Sequence, residues 1–183
     1  MARPTHSVAT LRVELSGTQP PVWRRVLVNA SDTFEELHTT LQLVMGWDDY
    51  HLHEFRVGDL RIGIHDEEDE VEVTDESRVS LGELVGTGGR FEYEYDFGDA
   101  WEHEVLVESI ETVPRALARP VCLGGERACP LEDSGGVAGY ERLLLVLSDP
   151  ENEDHPDARR VARGWDPTAF SVAAANTSLQ RPR

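Results

Sequence analysis

The chain contains no lysine. All 17 of its basic residues are arginine, set against 35 acidic ones, for a formal net charge of −18. Replacement of lysine throughout reads as the coding bias of a GC-rich genome rather than as mechanism. The shortage of positive charge excludes more. Binding to duplex DNA draws on basic residues that displace counterions from phosphates, and this chain repels a polyanion overall. Cysteine is scarce, with Cys122 and Cys129 only. The N-terminal stretch MARPTHSVATLRVELSG has no apolar segment of signal-peptide length, and no run approaches the ~18 apolar residues of a membrane span. These absences lead to the expectation of a soluble, cytoplasmic protein whose cysteines stay reduced. A P-loop, a G-x-S-x-G elbow and an H-E-x-x-H helix are also missing, which removes the commonest nucleotide, serine-hydrolase and zinc-protease signatures.

What is present suffices for one folded domain: 183 residues, 39% of them hydrophobic. Ser7 to Gly17 alternates Ala9, Leu11, Val13 and Leu15 with polar residues, the period of a half-buried strand. Val22 to Val28 follows a Pro-containing turn and pairs with it as a hairpin. Phe34, Leu37, Leu41, Val44 and Met45 recur at helical spacing, with Ser31 or Asp32 as the cap, Glu35 at capping-box spacing from Asp32, and Gly46 as the stop. Tyr50–Val57 and Arg61–Ile64 read as strands, Asp66–Glu70 (DEEDE) as a solvated loop and Ser80–Val85 as a short capped helix. Pro114 to Gly139 reads as loop. Tyr140–Leu147 is helical, with another helical turn at Ala158–Gly164. Strands arranged in hairpins rather than βαβ units predict an α+β fold with an antiparallel sheet and a few helices packed on it. A single domain is expected over residues 1–175, with 176–183 as a disordered tail.

Phe91 to Ile110 contains the densest chemistry, the stretch YEYDFGDAWEHEV. Side chains alternate across a strand. Phe91, Tyr93, Tyr95 and Phe97 share one face, and Glu92, Glu94 and Asp96 the other. A three-residue loop, Gly98 to Ala100, pairs Phe97 with Trp101, Tyr95 with His103 and Tyr93 with Val105, which keeps the apolar face continuous. It also sets Asp96 opposite Glu102 and Glu94 opposite Glu104, an arrangement of like charges that destabilises a sheet. Arg12, Arg24 or Arg25 of a neighbouring strand, a cation, or a basic partner are the candidates to neutralise them; water alone is the plain alternative.

Candidate ligands are few. His51-Leu52-His53 places two imidazoles on one strand face, as in shared metal sites, and His103 with Asp99 or Asp96 is the candidate to complete the set. The plain reading is that His53 and His103 are hydrogen-bonded sheet residues. Cys122 and Cys129 are spaced C-x6-C, a poor match to zinc knuckles, and nothing nearby supplies a base to activate either thiol. Residues Glu132 to Gly136 read as the cap of the following helix.

These motifs resemble a known family. YEYDFGDAWEHEV, the cysteine loop VCLGGERACPLEDSGGVAGYERLL, the segment GWDPTAFSVAAAN and the N-terminal LRVELSGTQPPVWRRVLVNASDTFEELHTTLQLVMGWDDYHLHEF are together similar to the plasmid pRiA4b ORF-3-like proteins. The resemblance implies an α+β domain of unknown biochemical function, met beside plasmid and insertion-element genes. Its pattern falls on Trp23, Arg24, Trp47, His51 and Phe55, then Asp96 to Asp99, Trp101 and His103. It continues on Cys122, Gly125, Cys129, Pro130, Asp133, Gly135, Gly136 and Tyr140. Many relatives have a third cysteine where this chain has Ser134, so a thiolate metal trio would lack a ligand here. Some members carry a resolvase-like name, but this chain has neither a serine set among arginines nor a basic tail.

The leading functional expectation is therefore a non-enzymatic interaction or accessory module. It would meet a protein partner, a basic one in charge terms, through Glu94, Asp96, Asp99, Trp101, Glu102, His103 and Glu104. Neither naked nucleic acid nor membrane is expected as a partner, and no cofactor is expected. The alternative is a metal-binding protein or metal-dependent hydrolase using His51, His53 and His103, with Cys122 and Cys129 as further ligands and zinc as the metal. A third reading is a DNA mimic that presents its carboxylates to a basic protein.

Overall fold

The computed structural model describes residues 5–64 and 72–180, so the acidic run Asp66–Glu70 lies outside the described residues. One eight-stranded sheet carries the fold, in the order β5-β4-β3-β6-β7-β1-β2-β8. The strands are β1 (His6–Leu15), β2 (Val22–Asn29), β3 (His53–Val57), β4 (Leu60–Gly63), β5 (Thr74–Asp75), β6 (Arg90–Tyr95), β7 (Trp101–Val113) and β8 (Val121–Glu126). Every pairing is antiparallel except β4 with β5, which is parallel, so the sheet is mixed rather than purely antiparallel. β8 arises within the stretch expected to be loop. Its Gly124 and Gly125 pair with Arg25 and Arg24, and glycine hides a strand from pattern reading.

The expected first hairpin forms: β1 and β2 pair from Leu15–Val22 to Val8–Asn29. Thr18 closes its turn, donating from Oγ1 to Leu15 O at 2.9 Å and accepting from Val22 N at 3.1 Å. Helix α1 (Phe34–Met45) starts one residue later than expected. Thr33 and Glu36 form the capping box, while the Asp32 carboxylate takes the N–H of Asn29 instead. A hydroxyl fits the box better than a carboxylate, and that preference decides the start. Gly46 at φ 92° ends the helix. The apolar stripe of α1 is buried as expected, with Phe34 edge-on to Phe55 at 5.0 Å and to Phe91 at 5.8 Å. Phe34→Ala would cost about 3–5 kcal/mol at such a packed site.

Helices α2 (Leu81–Leu84), α3 (Gly136–Ser148), α4 (His155–Val161) and α5 (Val172–Ser178) complete the element list among the described residues. The domain does not end at 175. In α5, the Asn176 amide donates to Cys122 O and accepts from Cys122 N, both at 2.9 Å, and Leu179 is buried. The side chain thus takes the place of a ninth strand at that point of the β8 edge, where a carboxamide matches the donor–acceptor pair of a backbone. Arg24, on the core face, is 1% exposed. It donates to Val44 O at 2.8 Å, to Trp23 O at 2.8 Å and to Glu126 O at 3.1 Å, and lies over the Phe170 ring at 4.2 Å. A buried guanidinium is tolerated because carbonyls occupy its donors and an aromatic face covers it.

The central hairpin departs from its expected register by two residues. Tyr95 pairs with Trp101, Tyr93 with His103 and Phe91 with Val105. Asp96 leaves the strand at φ 59°, and its Oδ1 accepts from the N–H groups of Gly98 (3.0 Å) and Asp99 (3.3 Å). The connection therefore runs from Asp96 to Ala100, and Phe97 is left 51% exposed instead of packed. The opposed acids become Glu94 with Glu102 and Glu92 with Glu104. Their neutralisers are not those expected. Arg56 donates to Glu94 at 2.6 Å and to Glu54 at 2.8 Å, Arg90 pairs with Glu104, and Arg61 pairs with Glu54. Arg12 pairs instead with Glu14 and Arg25 with Glu108, while Arg24 is in the core.

Candidate functional site

Three loops meet at one end of the sheet: 47–52 after α1, 96–100 between β6 and β7, and 130–136 before α3. Their contacts explain the local sequence. Trp47 Nε1 donates to Pro130 O at 3.0 Å, and its indole stacks on Tyr95 at 5.0 Å. Glu132 accepts from Asp48 N at 3.0 Å and from the Tyr95 hydroxyl at 2.6 Å. Tyr95 in turn accepts from Tyr50 N at 3.0 Å. Burial, with Glu132 beside it, pushes the Tyr95 phenol well above its usual range, so it stays a donor. Asp99 Oδ2 accepts from Gly135 N at 3.0 Å. Gly136 must be glycine: its φ is 66°, and a Cβ there would lie 2.4 Å from Asp99 O.

At this junction His51, Asp96 and Asp133 bring one ligand atom each within 4.8 Å of one another, the one such group of three or more His, Cys, Asp and Glu found among the described residues. His51 Nε2 lies 3.4 Å from Asp133 Oδ1 and 3.7 Å from Asp96 Oδ2. It is buried from solvent and makes no hydrogen bond. Bonds of about 2.1 Å from a tetrahedral metal place its ligand atoms roughly 3.4 Å apart, so these separations fit a shared cation. Both aspartates hold left-handed backbone, φ 59° at Asp96 and 55° at Asp133, a conformation that Asp tolerates and most residues do not. Each begins a D-x-G step, Asp96-Phe97-Gly98 and Asp133-Ser134-Gly135. That repeated step is the signal by which sequence reading could have paired them.

The other expected ligands lie elsewhere. His53 is on β3, its Nε2 bonded to buried Glu76 at 2.7 Å and its ring stacked on His38 at 3.4 Å and 4°. His38 bridges the Tyr93 hydroxyl and Asp49, each at 2.8 Å. Gln42 Nε2 also donates to Tyr93 Oη, at 2.8 Å, which leaves the phenol's own proton for His38 Nδ1 and the His38 Nε2 proton for Asp49. Burial, and then the neighbouring His53, lower the His38 pKa to about 4. His103 is 1% exposed, with Nδ1 at 3.2 Å from Tyr93 O, and burial lowers its pKa to about 4. His51, His53 and His103 are thus distributed around the Tyr93–Tyr95 pair and do not converge on one point, because strand pairing sets His103 opposite Tyr93 and His53 opposite Tyr95.

Cys122 and Cys129 are buried free thiols near Arg24, outside the His51 group. Burial pushes the Cys129 thiol up to about 12, which removes it as a nucleophile at neutral pH. Ser134 Oγ donates to Leu131 O at 2.6 Å. Of the residues expected to meet a partner, Trp101 and His103 are enclosed in the core. Glu94, Glu102 and Glu104 lie on the uncovered face of the sheet, and Asp96 and Asp99 serve the junction. The expected side-chain cap of α3 is absent. Gly135 holds the cap position at φ 87°, and Asp133 turns to His51 instead.

Two proteins similar to this chain are themselves described as uncharacterized or of unknown function. The chain is 40% identical over 175 residues to the uncharacterized protein y4hQ of Sinorhizobium fredii (strain NBRC 101917 / NGR234), covering 94% of this chain and 88% of that one. It is also similar to the crystal structure of a protein of unknown function, MM3350, from Methanosarcina mazei Go1. That match has a TM-score of 0.85 and 35% identity, over 92% of this chain and 97% of the other. Residues 7–174 match the family described as Plasmid pRiA4b ORF-3-like protein. Every strand residue but His6, the loop junction and both cysteines fall inside that span, and the chain belongs to the plasmid pRiA4b ORF-3-like family.

Proposed function

We propose that this protein is a divalent metal-binding domain whose centre is His51, Asp96 and Asp133. The observation that supports it most is the His51 nitrogen: buried, without a hydrogen bond, and directed between two carboxylates at 3.4 and 3.7 Å. A buried polar atom with no partner is a cost that a ligand can repay. One imidazole and two carboxylates suit zinc, iron, manganese or cobalt, and three protein ligands leave positions open for water or a substrate. In the hydrolytic form of this reading, the metal would acidify a bound water, and Asp133, 76% exposed at its side chain, would stand at the entrance. The ligand set differs from His51, His53 and His103 with the two cysteines, of which only His51 is at this centre.

The test is cobalt titration followed in the visible spectrum, with elemental analysis of the gently purified protein. One metal per chain is expected, with affinity reduced about 100-fold in His51→Ala and Asp96→Asn. The second substitution retains an oxygen for the amides of Gly98 and Asp99. Equal affinity in wild type and both variants would remove the proposal.

The interaction-module reading draws on the uncovered acidic face. Its support is weaker, since Arg56, Arg61 and Arg90 already pair with the acids there. The same pairing weighs against the DNA mimic, which requires unneutralised carboxylates.

A further inference from the structure

A cavity of about 930 Å³ opens between the end of α1, the segment 128–132 and the stretch from Trp165 into α5. Val44, Trp47, Leu131, Val161, Trp165 and Phe170 supply apolar walls, and a concave, mostly apolar space of this size is what small-molecule sites occupy. Two indoles fix the 128–132 wall: Trp47 donates to Pro130 O at 3.0 Å and Trp165 to Cys129 O at 2.9 Å. Arg24 lines the same cavity. A guanidinium has five N–H donors. Carbonyls take three of them here, Nε by Val44 and Nη1 by Trp23 and Glu126. The two on Nη2 have no acceptor, and no carboxylate pairs with Arg24 among the described residues. Trp101 Nε1 and Arg127 Nε are unpartnered and sealed from solvent, whereas Nη2 is unpartnered and still reached from it.

We propose that this cavity binds a free monocarboxylate on an apolar body, with its carboxylate on Nη2 of Arg24. A charge removed from water is ordinarily paired, and Arg24 is 1% exposed without a counter-ion. A carboxylate supplies both the missing acceptor and the missing charge, in a hydrogen bond stronger than a neutral one. The walls then contribute by taking the alkyl or aryl group out of water. Asp48 and Glu132 also border the cavity and limit the charge it takes. Asp48 is exposed, and Glu132 is already held by Asp48 N and the Tyr95 hydroxyl. Water screens the exposed acid, but two acids on a chain of net charge −18 still oppose a phosphate or a dicarboxylate. A single negative charge, delivered to a buried cation, is what the balance admits. The site uses none of His51, Asp96 and Asp133 and stands without a metal.

The experiment titrates octanoate, octanamide and acetate into the full chain, read by calorimetry and by the fluorescence of Trp47 and Trp165. Octanoate is expected to bind about tenfold more tightly than octanamide, the advantage of a charged over a neutral acceptor. Acetate, which has the head without the chain, should bind about 100-fold more weakly than octanoate. Ala174→Phe fills the cavity from the exposed side of α5 and keeps every hydrogen-bond partner of Arg24. It should lower octanoate affinity about tenfold or more in a chain that still folds. Arg24→Met should erase the preference for octanoate over octanamide in whatever fraction folds. If that variant does not fold, the ligand series and Ala174→Phe decide. No saturable binding of octanoate, equal binding of octanoate and octanamide by the wild type, or octanoate affinity unchanged in Ala174→Phe would each overturn the proposal.

Discussion

His51 and His53 are two residues apart and each faces carboxylates, yet they do opposite things. His53 is closed: Glu76 at 2.7 Å satisfies Nε2, and His38 covers its ring face. His51 is open, its Nε2 at 3.4 and 3.7 Å from two acids and bonded to neither. The difference comes from the backbone. His53 belongs to β3, where pairing with Tyr95 directs it under α1. His51 belongs to a loop that has turned at Asp49 with φ 61° and delivers it to two other loops. Histidine beside acid is therefore not a site in itself. What separates structure from candidate chemistry here is an unpartnered nitrogen with carboxylates gathered beside it: His103 Nε2 is also buried without a hydrogen bond, but it belongs to no such group among the described residues.

The largest expected effect breaks the closed side. His53→Ala leaves the Glu76 carboxylate, 7% exposed, without its partner. An uncompensated buried charge costs about 3–5 kcal/mol, to be read from urea melts. Cobalt affinity should be unchanged in whatever fraction remains folded. If His53→Ala abolished metal uptake in folded protein, the two histidines would belong to one site.

Acid probes the same side. The folded-state pKa of His38 and of His103 is about 4, below the ordinary value of 6.5. The unfolded chain therefore binds protons first as pH falls, and unfolding takes them up. This part of the stability is complete above pH ~6.5 and is lost progressively as pH falls toward 4. For fully enclosed His103 the loss is on the order of 3 kcal/mol. Urea melts at pH 7, 5.5 and 4 should show the decline, and His103→Gln should flatten it. A profile as steep in the variant would remove His103 as its source.

The open side is expected to give the reverse result. His51→Ala should lower cobalt affinity about 100-fold while the metal-free protein keeps its stability within about 1 kcal/mol, since no hydrogen bond is lost. A large loss of stability without metal would make His51 a structural residue like His53.

Much of the frame was legible because burial imposes a period. The alternation of Ala9, Leu11, Val13 and Leu15, and the stripe from Phe34 to Met45, each admit one face to the core. The alternation through Tyr93 and Tyr95 gave the correct face but not the register. Shifting a hairpin by two residues preserves the faces, and the choice was made by Asp96, whose side chain holds the turn. β8 and α5 were missed for a related reason. Two glycines give no pattern, and Asn176 acts as strand edge through a contact that only the fold creates. Of the candidate site, His51 and Asp96 could be named from sequence. Asp133 reads in sequence as part of a helix cap, because its partner is brought near only when three loops converge.

The smallest expected effect lies on the uncovered face. Arg90 and Glu104 are both more than half exposed, at 54% and 57%. Such pairs contribute about 0.2–1 kcal/mol and are screened by salt. Arg90→Ala should therefore shift urea melts by no more than that at low ionic strength, and by nothing measurable at ~1 M salt. A cost above 2 kcal/mol, or one that salt does not erase, would mean that the pair organises this face. If instead the effect is small, the arginines here are serving solubility and register. The acids that the proposed metal reading then singles out are Asp96 and Asp133, which a left-handed backbone holds beside His51 Nε2.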